Sequence, residues 1–183
     1  GTVRSQTPDV HAEVFKVLTD SLKTSQVTEA DFSSCGIGPV AVRHLSDWVH
    51  EATATLTSIN FLENSFGDDD LATLLTAIEG TSVRSLCGLT EGQTTADFSR
   101  RRLGPIDCKI MAAEYGFQGF IATVASLCCR DNPAMVGEAD IRYGTVRSQT
   151  PDGHAEVFKV RTDTLKTSQV TEADFSSCGN GPG

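Results

Sequence analysis

Six cysteines, four histidines and one run of three aspartates are the side chains here best suited to chemistry, so their spacing is the first question. His44 and His50 lie six apart on one predicted helix and share no face, and His11 recurs as His154 in a duplicated segment. That is no metal or catalytic pair, and solvated helix positions are expected. Asp68-Asp69-Asp70 lacks the alternating ligands and closing glutamate of a calcium loop, so helix capping is expected there. Cys35, Cys87, Cys108, Cys128, Cys129 and Cys178 match no zinc spacing, and adjacent Cys128 and Cys129 would point to opposite faces of a strand. We expect free thiols, with Cys35 and Cys108 in core or ladder roles. The glycines of CGIGP and RRLGPI make no phosphate loop, because neither GxxxxGK[ST] nor GxGxxG is present. Arg100-Arg101-Arg102 reads as a solvated strand-to-helix bend, and Trp48, between Leu45 and Val49, as packing against a flank. No catalytic residue, metal site or cofactor is expected.

Bulk composition narrows the classes further. The 183 residues are 39% apolar and 21% charged, ordinary for a folded domain, and carry a net charge of −9. Nonspecific nucleic-acid binding and a polybasic membrane patch both need basic surface, so neither is expected. No run approaches the ~20 apolar residues of a membrane-spanning helix. The chain opens on Gly1 without an initiator Met, and terminal segments are expected to be missing. Free thiols point to the cytoplasm or another intracellular compartment.

The elements that must position these residues are repeats. Residues 144–182 copy residues 1–39 at an offset of 143, with only four of 39 positions changed. A finer unit lies within. Val27-Thr-Glu-Ala30-Asp-Phe32-Ser-Ser-Cys35-Gly-Ile37 places apolar residues at positions 1, 4, 6 and 11, with a small polar residue at 9. Leu56-Thr-Ser-Ile59-Asn-Phe61-Leu-Glu-Asn64-Ser-Phe66 does the same 29 residues on, and Val124-Ala-Ser-Leu127-Cys-Cys129-Arg-Asp-Asn132 is a third instance. Gln93-Thr-Thr-Ala96-Asp-Phe98-Ser-Arg-Arg101-Arg-Leu103 is weaker, Val83-Arg-Ser-Leu86-Cys-Gly88 is an abridged copy, and Val170 begins the series again. The steps between starts are 29, 27, 10, 31 and 46.

Alternation over the first six positions predicts a short strand with Val27, Ala30 and Phe32, or Leu56, Ile59 and Phe61, turned inward. At position nine Asn64, Asn132, Cys35 and Cys178 are placed to hydrogen-bond the backbone as the chain leaves the strand. Eleven residues after each repeat start comes a glycine (Gly38, Gly67, Gly104, Gly181), with Pro39 and Pro105 suited to a first helical turn. A helix of about 12 residues should follow. Its buried stripe is Val42, Leu45 and Val49 in one repeat, Leu71, Leu74 and Ile78 in the next, and Cys108, Met111 and Tyr115 in the third.

Strand, Asn/Cys position, glycine and helix at this period resemble the ribonuclease-inhibitor-like class of leucine-rich repeats. The phrasing SLCGLTEGQTTADFS and LGPIDCKIMAAE is similar to large repeat proteins of unicellular eukaryotes. The resemblance covers roughly residues 9–136 and 153–182 and departs at Gln93, Arg101 and the steps of 10 and 46. It implies an α/β solenoid, a fragment of a right-handed α/β horseshoe with short parallel strands on the concave face and helices on the convex face. We expect a repeat domain over 1–136, irregular at 83–103, an insertion or linker at 137–152, and a truncated second copy over 153–183. The concave face would carry Glu29, Asp31 and Ser33; Ser58, Asn60 and Leu62; Ser85 and Cys87; Thr95, Asp97 and Ser99; and Ser126, Cys128 and Arg130. The implied function is a non-catalytic scaffold holding a protein partner on that face; the alternative is a purely structural segment of a longer array. Because Val10, Leu18 and Ile37 become Gly153, Arg161 and Asn180, weaker burial is expected in the second copy.

Overall fold

The computed structural model describes residues 8–51, 55–142, 145–150, 153–156, 159, 163, 165, 166 and 168–179; Arg161, Asn180 and Gly181 lie outside them. Short parallel strands alternate with helices in a mixed α/β architecture, and neither parallel sheet closes into a barrel. The chain divides into two compact units between Thr90 and Glu91, inside the stretch where the repeat steps are irregular.

The N-terminal unit runs α1 (Ala12–Leu22), β1 (Glu29–Asp31), α2 (Pro39–Glu51), β2 (Ser58–Asn60) and α3 (Asp68–Ile78). β1 and β2 pair in parallel with Glu29 opposite Ser58, Ala30 opposite Ile59 and Asp31 opposite Asn60, the same 29-residue offset that separates the repeat starts. The abridged repeat supplies the next edge. The Ile59 amide donates to Ser85 C=O (2.8 Å) and the Phe61 amide to Leu86 C=O (3.0 Å). No helix intervenes before the following strand.

Each helix buries the stripe its spacing dictates: Val42, Leu45 and Val49 in α2, then Leu71, Leu74 and Ile78 in α3. Ile59, Phe61, Leu86 and Val83 complete the core from the strand side. Trp48, read from sequence as a flank residue, is instead fully buried. Phe32 stands edge-on to it at 5.8 Å and edge-on to Phe15 at 5.4 Å, so the first strand, α1 and α2 share one aromatic cluster.

The C-terminal unit holds β3 (Thr95–Asp97), α4 (Pro105–Gly116), a 3-10 turn (Phe120–Thr123), β4 (Ser126–Cys128), β5 (Glu138–Arg142), β6 (Thr145–Thr150) and β7 (Glu172–Asp174). β3, β4 and β7 form one parallel sheet in that order. The 46-residue step brings β7 into the register a regular repeat would have, with Ser126 opposite Glu172 and Cys128 opposite Asp174. Part of the added length is an antiparallel β5–β6 hairpin with a register shift between Asp140 and Ile141. In α4 the burial spreads beyond one stripe. Cys108 and Met111 are fully buried, but so are Ile110 and Glu114, and Tyr115 is only half-buried. Glu114 accepts the Ile121 amide, tying the helix to the turn that follows (3.3 Å).

Position nine explains how strands stack. Asn64 donates to Phe32 C=O and to Phe61 C=O (both 2.9 Å) and accepts the Ile37 amide (2.9 Å). Asn132 repeats this: it donates to Phe98 C=O (2.9 Å) and Cys129 C=O (2.6 Å) and accepts the Arg101 and Leu103 amides (3.0 and 3.1 Å). Cys178, fully buried, donates its thiol to Cys129 C=O at 3.0 Å. In all three cases the side chain reaches the position-six carbonyl of the preceding strand, satisfying backbone that water cannot reach. Cys35 and Arg101 occupy the same position on β1 and β3, the first strand of each sheet. Cys35 is exposed, so its expected ladder or core role does not hold; β1 has no preceding strand among the described residues.

Position eight was not legible beforehand. Ser34, Glu63, Arg100, Asp131 and Ser177 all have positive φ, between 53° and 64°. This left-handed turn, uncommon for non-glycine residues, aims the amide at the next strand. The amides of Ser34, Arg100 and Asp131 donate to the carbonyls of Leu62, Arg130 and Ser176 (3.2, 3.1 and 2.9 Å).

The helix starts differ in what caps them. Asp70 accepts the Gly67 amide (3.0 Å) and Asp107 the Gly104 amide (2.7 Å), each a carboxylate two positions past the first helical residue. α2 has Ala41 at that place. Asp9, 29 residues upstream of Gly38, takes over and accepts the amides of Gly38, Val40 and Ala41 at 2.8–3.0 Å. A Cβ on Gly38 would sit 2.6 Å from the Asp9 carboxylate, so glycine is required there. Among the described residues no helix is long and apolar enough to cross a membrane.

Candidate interaction surface on the parallel strands

Residues at positions 3, 5 and 7 of each strand alternate with the core residues, and the two units treat them differently. In the N-terminal unit Glu29 and Asp31 are exposed and Ser33 half-buried. Ser58, Asn60, Leu62, Ser85 and Cys87 are not open: their exposures are 2, 4, 0, 0 and 2%. These five were expected on an accessible face, and burial removes them from it. Gly88, at φ +76°, lies against Asn60 so closely that a Cβ would stand 3.0 Å from the Asn60 Cβ. Ser85 Oγ accepts the Cys87 and Leu89 amides (3.1 and 2.9 Å), and Asn60 accepts the Leu62 amide (3.2 Å). Their polar atoms hold local backbone rather than meeting solvent.

In the C-terminal unit the corresponding face is open. Its rows read Thr95, Ser126, Glu172; then Asp97, Cys128, Asp174; then Ser99, Arg130, Ser176. Thr95, Asp97, Arg130, Glu172, Asp174 and Ser176 are exposed, and Ser99, Ser126 and Cys128 half-buried. Glu172, Asp174 and Ser176 were missed in the sequence, although the 143-residue offset makes them copies of Glu29, Asp31 and Ser33. Cys129, next to half-buried Cys128, is fully buried, so the two thiols do point to opposite faces.

The aspartates on this face are pinned by their own chain. Asp97 accepts the Ser99 amide and Asp174 the Ser176 amide, both at 2.9 Å, and Asp31 accepts the Ser33 amide at 2.8 Å. The Ser99 amide, then its hydroxyl, hold the Asp97 carboxyl below the ordinary aspartate range; the Cys128 thiol and the Arg130 charge add to this, against a desolvation that raises it. Asp174 is lowered in the same way by the Ser176 amide and hydroxyl and by Arg130. The face therefore presents the carboxylates of Asp97, Glu172 and Asp174 and the guanidinium of Arg130, whose charge acts on Asp97 and Asp174. Parallel strands set neighbours within a row about 4.8 Å apart.

The other residues with chemical potential fall elsewhere. Arg100 pairs with Asp131 at 3.0 Å, one position-eight side chain to the next, as Ser34 does with Glu63 at 2.7 Å. Cys108 is buried in α4, and none of the six cysteines is in a disulfide. His50 is exposed, but His44 is half-buried with its Nε2 shielded from solvent and without a hydrogen-bond partner among the described residues, so it is not the solvated histidine expected. Among the described residues no three His, Cys, Asp or Glu side chains gather as a metal site. No family model matches this chain, and no curated protein does.

Proposed function

We propose that the chain is a segment of a leucine-rich-repeat solenoid that binds a protein partner on the open strand face of Thr95–Ser99, Ser126–Arg130 and Glu172–Ser176. The solenoid reading is supported by the position-nine side chains, which repeat the same contacts to the preceding strand at Asn64, Asn132 and Cys178. The binding reading is carried by one observation: Asp97 and Asp174 flank Cys128 in one row, exposed, ionised and orientationally fixed. Pre-ordered carboxylates lose little freedom on binding, which favours a partner bearing lysine or arginine. The double variant Asp97→Asn/Asp174→Asn keeps the turn hydrogen bonds and removes the charge. A partner captured on the wild-type chain should be lost on this variant and weakened as salt rises. Retention of that partner by the double variant would remove the face from consideration.

A second reading, a structural segment without a ligand, is favoured by the duplication itself: 35 of 39 residues are unchanged between copies, as length-extending copying leaves them. It expects no partner lost selectively on the double variant.

A further inference from the structure

The open face of β3, β4 and β7 carries its own counter-charge. Asp97, Cys128 and Asp174 form one row, and Ser99, Arg130 and Ser176 form the next, two residues on. Successive rows on one face stand about 7 Å apart along the strands. The first of these rows has an exposed carboxylate at each end and a half-buried thiol between them. The second has one exposed guanidinium between two short serines, so Arg130 stands above its neighbours. Both aspartates accept amides of their own chain at 2.9 Å and are oriented before anything faces them. A second copy, turned over about a twofold axis that crosses the strands between the two rows, brings unlike rows together. Cys128 of one copy then faces Arg130 of the other, Asp97 faces Ser99, and Asp174 faces Ser176. Each guanidinium comes to lie between two carboxylates, and symmetry makes the contact twice. A twofold axis running along the strands would instead set Asp97 against Asp174, like charge on like. The face therefore complements itself in one orientation.

We propose that this face docks on the same face of a second copy of the chain, strands antiparallel across the interface, with Arg130 of each copy seated between Asp97 and Asp174 of the other. The inference rests on the reading that the strand face binds protein, and it names the partner. The contact is weak. Its two overlapping rows hold six side chains a copy, against roughly 20–30 in a stable interface. Glu172 lies in the third row, outside the overlap, and each copy carries a net charge of −9, so long-range repulsion opposes the approach. Self-association therefore belongs to high protein concentration.

Sedimentation velocity on the full chain up to high concentration, with native thiol labelling read by tandem mass spectrometry, tests it. The expected result is a monomer–dimer equilibrium in which Cys128 loses reactivity as dimer forms, while exposed Cys35 keeps its own. Arg130→Gln removes the cation, and Asp97→Asn/Asp174→Asn removes the carboxylates while keeping the turn bonds. Each variant alone should associate about tenfold or more weakly than wild type. An equimolar mixture of the two should associate more strongly than either, because Arg130 of one variant still meets Asp97 and Asp174 of the other. A wild type that is monomeric at every concentration overturns the proposal. So does association unchanged by Arg130→Gln, a mixture no stronger than its components, or Cys128 equally reactive in monomer and dimer. A monomeric wild type whose foreign partner is still lost on the double variant overturns this inference alone and leaves the binding face standing.

Discussion

Residues 27–36 and 170–179 are the same ten letters, VTEADFSSCG, and they fold alike but are buried differently. Ser34 and Ser177 share the left-handed turn at 53° and 56°, and Gly36 and Gly179 follow with φ of 70° and 87°. Asp31 and Asp174 each accept the amide two residues on. Yet Phe32 is buried between Phe15 and Trp48 while Phe175 is half-exposed, and Cys178 is buried on β4 while Cys35 is open. The first copy has a strand on its far side and none before it; the second has one before it and none beyond, among the described residues. Backbone shape in this repeat is local, whereas burial is supplied by whichever neighbour is present, as expected of a chain stabilised by contacts between adjacent units.

Substitutions in the two copies sharpen that contrast. The largest effect is expected at Phe32→Ala, about 3–5 kcal/mol lost, against less than about 1.5 kcal/mol for Phe175→Ala; urea unfolding of each variant measures both. Asn132→Ala should cost about 2–4 kcal/mol, because it strands buried amides and carbonyls of two strands at once. At the matched cysteines the same method should give about 1–2 kcal/mol for Cys178→Ala and a change within about 0.5 kcal/mol for Cys35→Ala. Equal losses at Cys35 and Cys178 would break the comparison.

Smaller effects test the local half of the claim. Position ten is glycine in both copies but Arg102 in the β3 repeat, at φ 60°. Arg102→Gly should therefore stabilise by about 0.5–1 kcal/mol, the left-handed penalty outweighing the entropy of glycine. The pH dependence is smaller still. Asp97 and Asp174 have folded-state values below their unfolded ones, so their contribution is fully present above about 3.9 and is lost as pH falls through the lower folded values. Carboxyl NMR titration should place both midpoints below that of an unstructured aspartate; ordinary midpoints would contradict the Ser99 and Ser176 amide bonds.

What was legible in the sequence was what repeats. Leu45, Leu74 and Met111 share a place because helical burial imposes a spacing, and Asn64 and Asn132 stand out because one polar type recurs at one position. The left-handed position eight was invisible, since Ser34, Glu63, Arg100, Asp131 and Ser177 share a conformation but no chemistry. Asp9 was equally hidden, because its capping partners lie 29–32 residues away. On the candidate face, Asp97 and Arg130 followed from alternation alone. Ser58, Asn60 and Leu62 did not, because alternation says which way a side chain points and not what covers it. Glu172 and Asp174 could have been found by carrying the duplication through to the face.

Amide hydrogen exchange by NMR on dilute protein tests most directly whether neighbours, and not sequence, decide protection. The two identical segments have identical intrinsic exchange rates, so any difference reports context. Protection is predicted at Ser34 but not Ser177, and at Thr171 and Glu172 but not Thr28 and Glu29. The same protection pattern in both copies would contradict it.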